Sequence, residues 1–150
     1  MLNVEIIGDS ILNNINPRGI SKQDQVKVLS HSGATSEDMT DFINPTIKRK
    51  PNIVIIHCGS NDLTKGGDTI ANLQTIINRI KKKSAYTTVA ISYLIARYDR
   101  PNIEKKVEEL NNNLKVFCEE NLISFICNDN IDDSCLGKAK LHPNKKVKLL

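Results

Sequence analysis

The run Ile53-Val54-Ile55-Ile56 constrains the fold more than any other stretch of the chain. It is continuous, β-branched and free of polar side chains, which suits a central strand of a parallel sheet covered on both faces. Comparable runs recur along the sequence with helical patterns between them. Val4-Glu5-Ile6-Ile7 comes first and breaks at Gly8, with a short helix-like piece from Ser10 to Ile15 behind it. Gln25 to Ser30 reads as a second strand through Val26, Val28 and Leu29. The segment Thr35-Ser36-Glu37-Asp38 then has the pattern of a capped helix start. That helix is expected to run toward Lys50 with a disturbance at Asn44-Pro45, because proline disfavours a helical conformation in the residue before it. Ile70, Leu73, Ile77 and Ile80 follow the third strand at helical spacing. Thr87 to Leu94 makes a fourth strand, and Ile103, Val107, Leu110, Leu114 and Phe117 mark a long amphipathic helix. Leu122 to Cys127 makes a fifth strand, and from Asn144 the chain reads as the opening turns of a last helix.

Five βα units of this kind predict an α/β fold: a three-layer α/β/α sandwich around a five-stranded, mostly parallel sheet with right-handed crossovers. The 150 residues suit one domain with one core, and no linker, repeat or low-complexity segment divides them. With 39% hydrophobic and 25% charged residues, the chain is too apolar to be disordered. No apolar run approaches the roughly 20 residues of a membrane span, and Val4 to Ile7 is too short for a signal-peptide core. The last helix stops at Leu150, as expected of a domain excised from a longer protein.

Cys58, Cys118, Cys127 and Cys135 form no close pair, and the first three sit in apolar stretches. Reduced, buried thiols and an intracellular, cytoplasmic setting are therefore expected. A zinc site built from Cys118, Cys127, Cys135 and His142 lacks the short paired ligand spacings that such sites use. The net charge of +4 arises from runs at Lys48-Arg49-Lys50, at Lys81-Lys82-Lys83 and among Lys138, Lys140, Lys145, Lys146 and Lys148. These read as solvated helix ends, where cations complement the dipole. With three Tyr, three Phe and no Trp, the interleaved aromatics of a nucleic-acid surface are missing. Nucleic acid is not expected as a partner of this domain alone.

In such a sheet, ligands bind beyond the carboxyl ends of the strands. The polar residues at those points are Gly8-Asp9-Ser10, His31-Ser32-Gly33, Gly59-Ser60-Asn61-Asp62, Arg97 with Asp99, and Asp129, and His142 stands just before the last helix. A serine attacks an acyl carbon only when a neighbouring base takes its proton, and His142 is the natural base. The oxyanion that develops needs hydrogen-bond donors, which the backbone N–H groups of Ser10 and Gly33 and the Asn61 amide can supply. Each residue type also has an ordinary structural use. Ser10 at a strand-to-helix junction can cap the helix. Asn61 can form a turn, and Gly33 can supply an unusual backbone angle. Asp9 and Asp62 are expected to organise their loops through backbone amides. His31 and His57, at strand ends, are expected to be packed and hydrogen-bonded. Arg97 and Asp99 either pair at the surface or line the crevice.

Taken in chain order, four segments resemble the motif blocks of the SGNH, or GDSL-like, hydrolases: Ile6-Ile7-Gly8-Asp9-Ser10, Ser32-Gly33-Ala34-Thr35, Gly59-Ser60-Asn61-Asp62 and His142-Pro143-Asn144. A lone Gly-Asp-Ser means little, but here motif, strand position and chain order agree. The resemblance implies a flavodoxin-like SGNH hydrolase fold and a serine esterase acting on small or short-chain carboxylic esters. It implies Ser10 as nucleophile and oxyanion donor, Gly33 and Asn61 as further donors, and His142 as general base, with neither metal nor cofactor. The wording of Gly33 to Met39 and of His57 to Leu63 is similar to esterase-like domains of animals and of LINE-type retrotransposon proteins.

The chain departs from the family pattern in two places. Three residues before His142, where family members usually carry the aspartate that orients the imidazole, stands Ala139, and Val147 occupies a position where the family often has glycine. In serine proteases, neutralising the equivalent aspartate lowers turnover by about ten-thousandfold. A backbone carbonyl, or an acid from elsewhere such as Asp129, Asp132 or Asp133, can hold the ring instead. The alternative is a weakened or inactive module of the same fold that binds rather than cleaves, in one version part of a nucleic-acid-associated mobile-element protein.

Overall fold

The protein, as a computed structural model, is described over residues 1–9 and 23–126. Five strands, β1 (Asn3–Gly8), β2 (Gln25–Ser30), β3 (Ile53–His57), β4 (Thr88–Ser92) and β5 (Ser124–Ile126), form one sheet in the order β2-β1-β3-β4-β5. Every neighbouring pair is parallel. The chain steps from β1 to β2 on one side and resumes with β3 on the other. The carboxyl ends of β1 and β3 therefore flank the point where strand order reverses, which is where open α/β sheets bind ligands.

The helices are α1 (Ser36–Phe42), α2 (Asn44–Arg49), α3 (Asp62–Lys65), α4 (Thr69–Lys83) and α5 (Ile103–Asn121). β3 is buried at every position, as its unbroken apolar run predicts. Strand alternation then assigns two faces. Ile7, Val54, Ile56, Val89 and Ile91 meet Met39 of α1, Ile47 of α2, Leu73, Ile77 and Ile80 of α4, and Leu114 and Phe117 of α5. On the opposite face Val4, Ile6, Ile53, Ile55, Ala90 and Ile126 form a second buried cluster. Each fully buried isoleucine contributes about 1.5–3 kcal/mol relative to exposure. Among the described residues, no helix is long and apolar enough to cross a membrane.

The start of α1 follows its sequence. Asp38 N–H donates to Thr35 Oγ1 at 3.2 Å and Thr35 N–H donates to Asp38 Oδ2 at 3.0 Å, a reciprocal capping box. The helix expected to continue toward Lys50 is instead two helices. α1 ends at Phe42, and α2 begins at Asn44 with Pro45 in its first turn. Proline is at ease there, because its missing N–H has no intrahelical partner in any case. The joint thus falls at Ile43, just ahead of the disturbance expected at Asn44-Pro45. β4 and β5 are shorter than their apolar runs, and Cys127 lies outside the described residues. So do the helices expected from Ser10 to Ile15 and from Asn144. Cys58 and Cys118 are free, buried thiols. Burial raises the pKa of both, Cys118 to about 12, so neither forms thiolate readily.

Beyond β4 the chain is held by Asn111 of α5, which is 3% exposed. Its Oδ1 accepts the Leu94 N–H at 2.8 Å, and its Nδ2 donates to the Leu94 carbonyl at 3.0 Å. Asn111→Ala leaves both Leu94 backbone groups unpaired in the interior. Urea denaturation is expected to show a loss of about 2–4 kcal/mol, and a loss below about 1 kcal/mol would contradict this role.

Candidate functional site

The rim at the carboxyl ends is organised by Asp62, which is 5% exposed. Its Oδ1 accepts the Ser36 N–H at 2.8 Å and its Oδ2 accepts the Thr69 hydroxyl at 2.5 Å. One carboxylate thus joins the first turns of α1, α3 and α4 through charge-assisted hydrogen bonds. Asn72 Nδ2 donates to Ser36 Oγ at 2.8 Å and extends the same network. This is the loop-organising use expected of Asp62.

Asn61 precedes α3 at the N-cap position, yet its side chain makes no capping bond. It reaches across instead, with Nδ2 donating to the Ala34 carbonyl at 2.9 Å. A primary amide nitrogen carries two hydrogens. One is committed to Ala34, which sets the orientation of the group, and the second has no acceptor among the described residues. A parallel tie joins Lys65 Nζ to the Gly33 carbonyl at 2.6 Å. The second and third sequence segments, far apart in the chain, are thereby brought together. Gly33 has φ +74°, and a Cβ there would stand 3.0 Å from Lys65 Nζ. The left-handed backbone by itself accounts for glycine at this position.

Asp9, one residue before Ser10, is 2% exposed at the end of β1. Ser30 Oγ donates to its carbonyl at 3.0 Å, and the His31 N–H donates to the Gly8 carbonyl at 2.8 Å, so β2 fixes the path of this turn. Across the switch point, His57 Nε2 lies 3.9 Å from Asp9 Oδ1, while Nδ1 is 3.1 Å from Ser92 Oγ. Nε2 has no hydrogen-bond partner among the described residues. His31 stacks on Phe42 with ring centroids 4.1 Å apart, a packing role as expected.

Arg97 makes the surface pair with Asp99 that was one of its two readings, and it also reaches the turn at Ser60. Nε and Nη2 grip the Asp99 carboxylate at 2.9 and 2.7 Å, while Nη1 donates to Ser60 O at 2.8 Å and to Ser60 Oγ at 3.2 Å. The surface pair therefore also clamps the turn that carries Asn61. The Asp99 hydrogen bonds raise the Arg97 pKa, and Arg97 in turn holds the Asp99 carboxyl well below its ordinary value.

Of the residues expected to do chemistry, Gly33 and Asn61 are thus brought to one rim beside Asp9. Ser10, His142, Asp129, Asp132 and Asp133 lie outside the described residues. Two contributors had no motif to announce them. Lys65 is marked only by its place four residues after Asn61, one helical turn on. The Ala34 carbonyl is a backbone group that any residue supplies.

Residues 6–147, nearly the whole chain, match the model of the GDSL-like lipase/acylhydrolase family. Among solved structures, a member of the lipolytic G-D-S-L family from Veillonella parvula is 19% identical, with 84% of this chain and 77% of that chain covered at a TM-score of 0.66. Axe2, an acetylxylan esterase from Geobacillus stearothermophilus, is 15% identical, with 99% of this chain and 87% of that chain covered, also at 0.66. Two further structures of that esterase are of catalytic mutants, one with a serine and one with an aspartate changed to alanine. At these identities the likeness is one of fold. No curated protein sequence matches the chain significantly.

Burial holds the His57 pKa below the ordinary imidazole value of 6.5, against the opposing pull of the Asp9 carboxylate. With the folded value depressed, the unfolded chain binds the proton first as pH falls, so stability present above about 6.5 is lost on acidification. Unfolding free energy is expected to drop between about pH 7 and pH 5, and His57→Gln is expected to flatten that drop. Equal slopes for the two proteins would contradict a buried, neutral His57.

Proposed function

The chain belongs to the GDSL-like lipase/acylhydrolase family, and on that premise we propose that it hydrolyses small or short-chain carboxylic esters through an acyl-Ser10 intermediate. His142 takes the proton of the Ser10 hydroxyl as Oγ bonds to the acyl carbon. The oxyanion of the tetrahedral intermediate is met by the N–H groups of Ser10 and Gly33 and by the Asn61 amide. As the C–O bond to the alcohol breaks, His142 returns the proton to the leaving oxygen. Water then attacks the acyl-enzyme with His142 again as base, and the carboxylic acid departs with Ser10 restored.

The observation that carries this reading is the anchored Asn61 amide. A donor fixed before the reaction, with a second hydrogen uncommitted among the described residues, costs no reorganisation when charge develops. Two ties, Asn61 to Ala34 and Lys65 to Gly33, support a shared role for the two segments. The fold-level likeness to an acetylxylan esterase favours a small acyl group such as acetyl. The narrower likeness to animal and LINE-type esterase-like domains belongs to the same proposal and rests on the wording of Gly33 to Met39 and His57 to Leu63.

Ala139 favours one second reading, a domain that keeps the crevice but binds without efficient turnover. In the catalytic reading, Asp129, Asp132, Asp133 or a backbone carbonyl orients His142 in place of the missing acid. A fluorophosphonate probe separates the two, because labelling confined to Ser10 requires an activated nucleophile.

Two variants test the mechanism by turnover of an aryl acetate. Ser10→Ala is expected to fall to the uncatalysed background, and an unchanged rate contradicts Ser10 as nucleophile. Asn61→Ala is expected to lower kcat by about 10²–10³ with little change in KM, as for the loss of one oxyanion donor. A rise in KM at constant kcat would instead assign Asn61 to ground-state binding.

A further inference from the structure

The fold brings together two lysine runs that lie at separate helix ends in the sequence. α2 gives way to β3 just after Lys50, and α4 gives way to β4 after Lys83, and β3 and β4 are neighbours. Three hydrogen bonds fasten the two turns. Thr88 N–H donates to Asn52 O at 2.8 Å, the Thr87 hydroxyl to Pro51 O at 2.7 Å, and the Tyr86 hydroxyl to Lys50 O at 2.7 Å. Beside them runs a groove of about 730 Å³ lined by Asn44, Ile47, Lys48, Lys50, Arg79 and Lys83.

Four of those six residues are cations, and none lies within ion-pair distance of an acid among the described residues. The helix dipole explains lysines in a last turn. It does not explain Lys50, which stands past the end of α2, or Arg79, one turn before Lys83. Arg79 and Lys83 are four residues apart on one helix face, a like-charge spacing that weakens a helix unless an anion offsets it. Arg79 is held there by Nη1, which donates to the Thr40 carbonyl and, at 2.8 Å, to Asn44 Oδ1. Next to Lys50 stands Tyr86, 62% exposed, its hydroxyl tied down and its ring presented to solvent.

We propose that this groove binds single-stranded nucleic acid, with phosphates along Lys48, Lys50, Arg79 and Lys83 and a base stacked on Tyr86. Four cations spread along an open groove of this length suit a strand better than one compact anion. An anionic membrane is the poorer fit, since insertion needs exposed apolar side chains and the one aliphatic lining residue, Ile47, is 4% exposed. The groove lies at the amino ends of β3 and β4, at the opposite end of the strands from the rim that carries Asn61. Its occupation is independent of the esterase reading.

The experiment is fluorescence anisotropy of a labelled oligouridylate titrated with the full chain over a range of salt. Four phosphate contacts predict a log–log salt slope of about −3, and Lys48→Gln with Lys50→Gln and Lys83→Gln together are expected to reduce it to about −0.7, with affinity lower by tenfold or more. A control with the same charge change on α5, Lys105→Gln with Lys106→Gln and Lys115→Gln, is expected to bind nearly as the unaltered chain does. Tyr86→Ala is expected to weaken binding by about tenfold while Tyr86→Phe does not. Absence of binding, or an equal loss in the α5 control, overturns the proposal. So does sedimentation with phosphatidylserine vesicles, dependent on the groove lysines, by a chain that ignores the oligonucleotide.

Discussion

A parallel strand covered on both faces has no solvent-facing side on which to place a polar group, so polar chemistry is driven to its ends. β3 obeys this along its whole length, with its one polar residue, His57, at the last position. Where β1 departs from it, the departure is compensated. Glu5 is 4% exposed inside the strand, and its carboxylate takes Thr46 Oγ1 at 2.8 Å and Arg49 Nη2 at 2.6 Å, because a buried charge must be paired and hydrogen-bonded. The same constraint gathers Asp9, His57, Asn61 and Asp62 at or just past the carboxyl ends of the two central strands. They border the point where strand order reverses between β1 and β3, the position at which open α/β sheets bind ligands.

Asp62 converts that clustering into fixed geometry. Two nearly buried oxygens, each with a short hydrogen bond, tie the first turns of α3 and α4 to that of α1, which lies 26 residues earlier. Hydrogen bonds to a charged group contribute about 1.5–3 kcal/mol each, enough to hold loops that the apolar core does not reach. The Asn61 amide depends on this frame. It meets the Ala34 carbonyl only because the α1 and α3 turns are locked side by side, and Arg97 steadies the same turn from the β4 side through Ser60.

Periodicity made the sheet legible: all five strands and their parallel character follow from short β-branched runs alternating with helical patterns. The Thr35–Asp38 cap was readable for the same reason, since its bonds are local. Less legible were features decided by tertiary contact. Pro45 signals a disturbance between Ser36 and Arg49 but not its form, because proline in the first turn of a new helix and proline as a kink in one continuous helix look alike in sequence. At the rim, the motif residues Gly33 and Asn61 stood out, whereas Lys65 and the Ala34 carbonyl did not. The two lysine runs read singly as solvated helix ends, and only the adjacency of β3 and β4 makes them one surface.

The two ends of the sheet therefore carry different chemistry: hydrogen-bond donors and a buried carboxylate at the carboxyl rim, a row of cations at the amino edge. The central claim is that the carboxyl rim supports covalent acyl transfer. Intact-mass and peptide mass spectrometry of the chain, acid-quenched during turnover of an aryl acetate, tests it most directly. One acetyl group on the peptide containing Ser10, disappearing as substrate is exhausted, is the predicted result. Unmodified protein, or acetyl scattered over lysines with Ser10 untouched, would contradict the account.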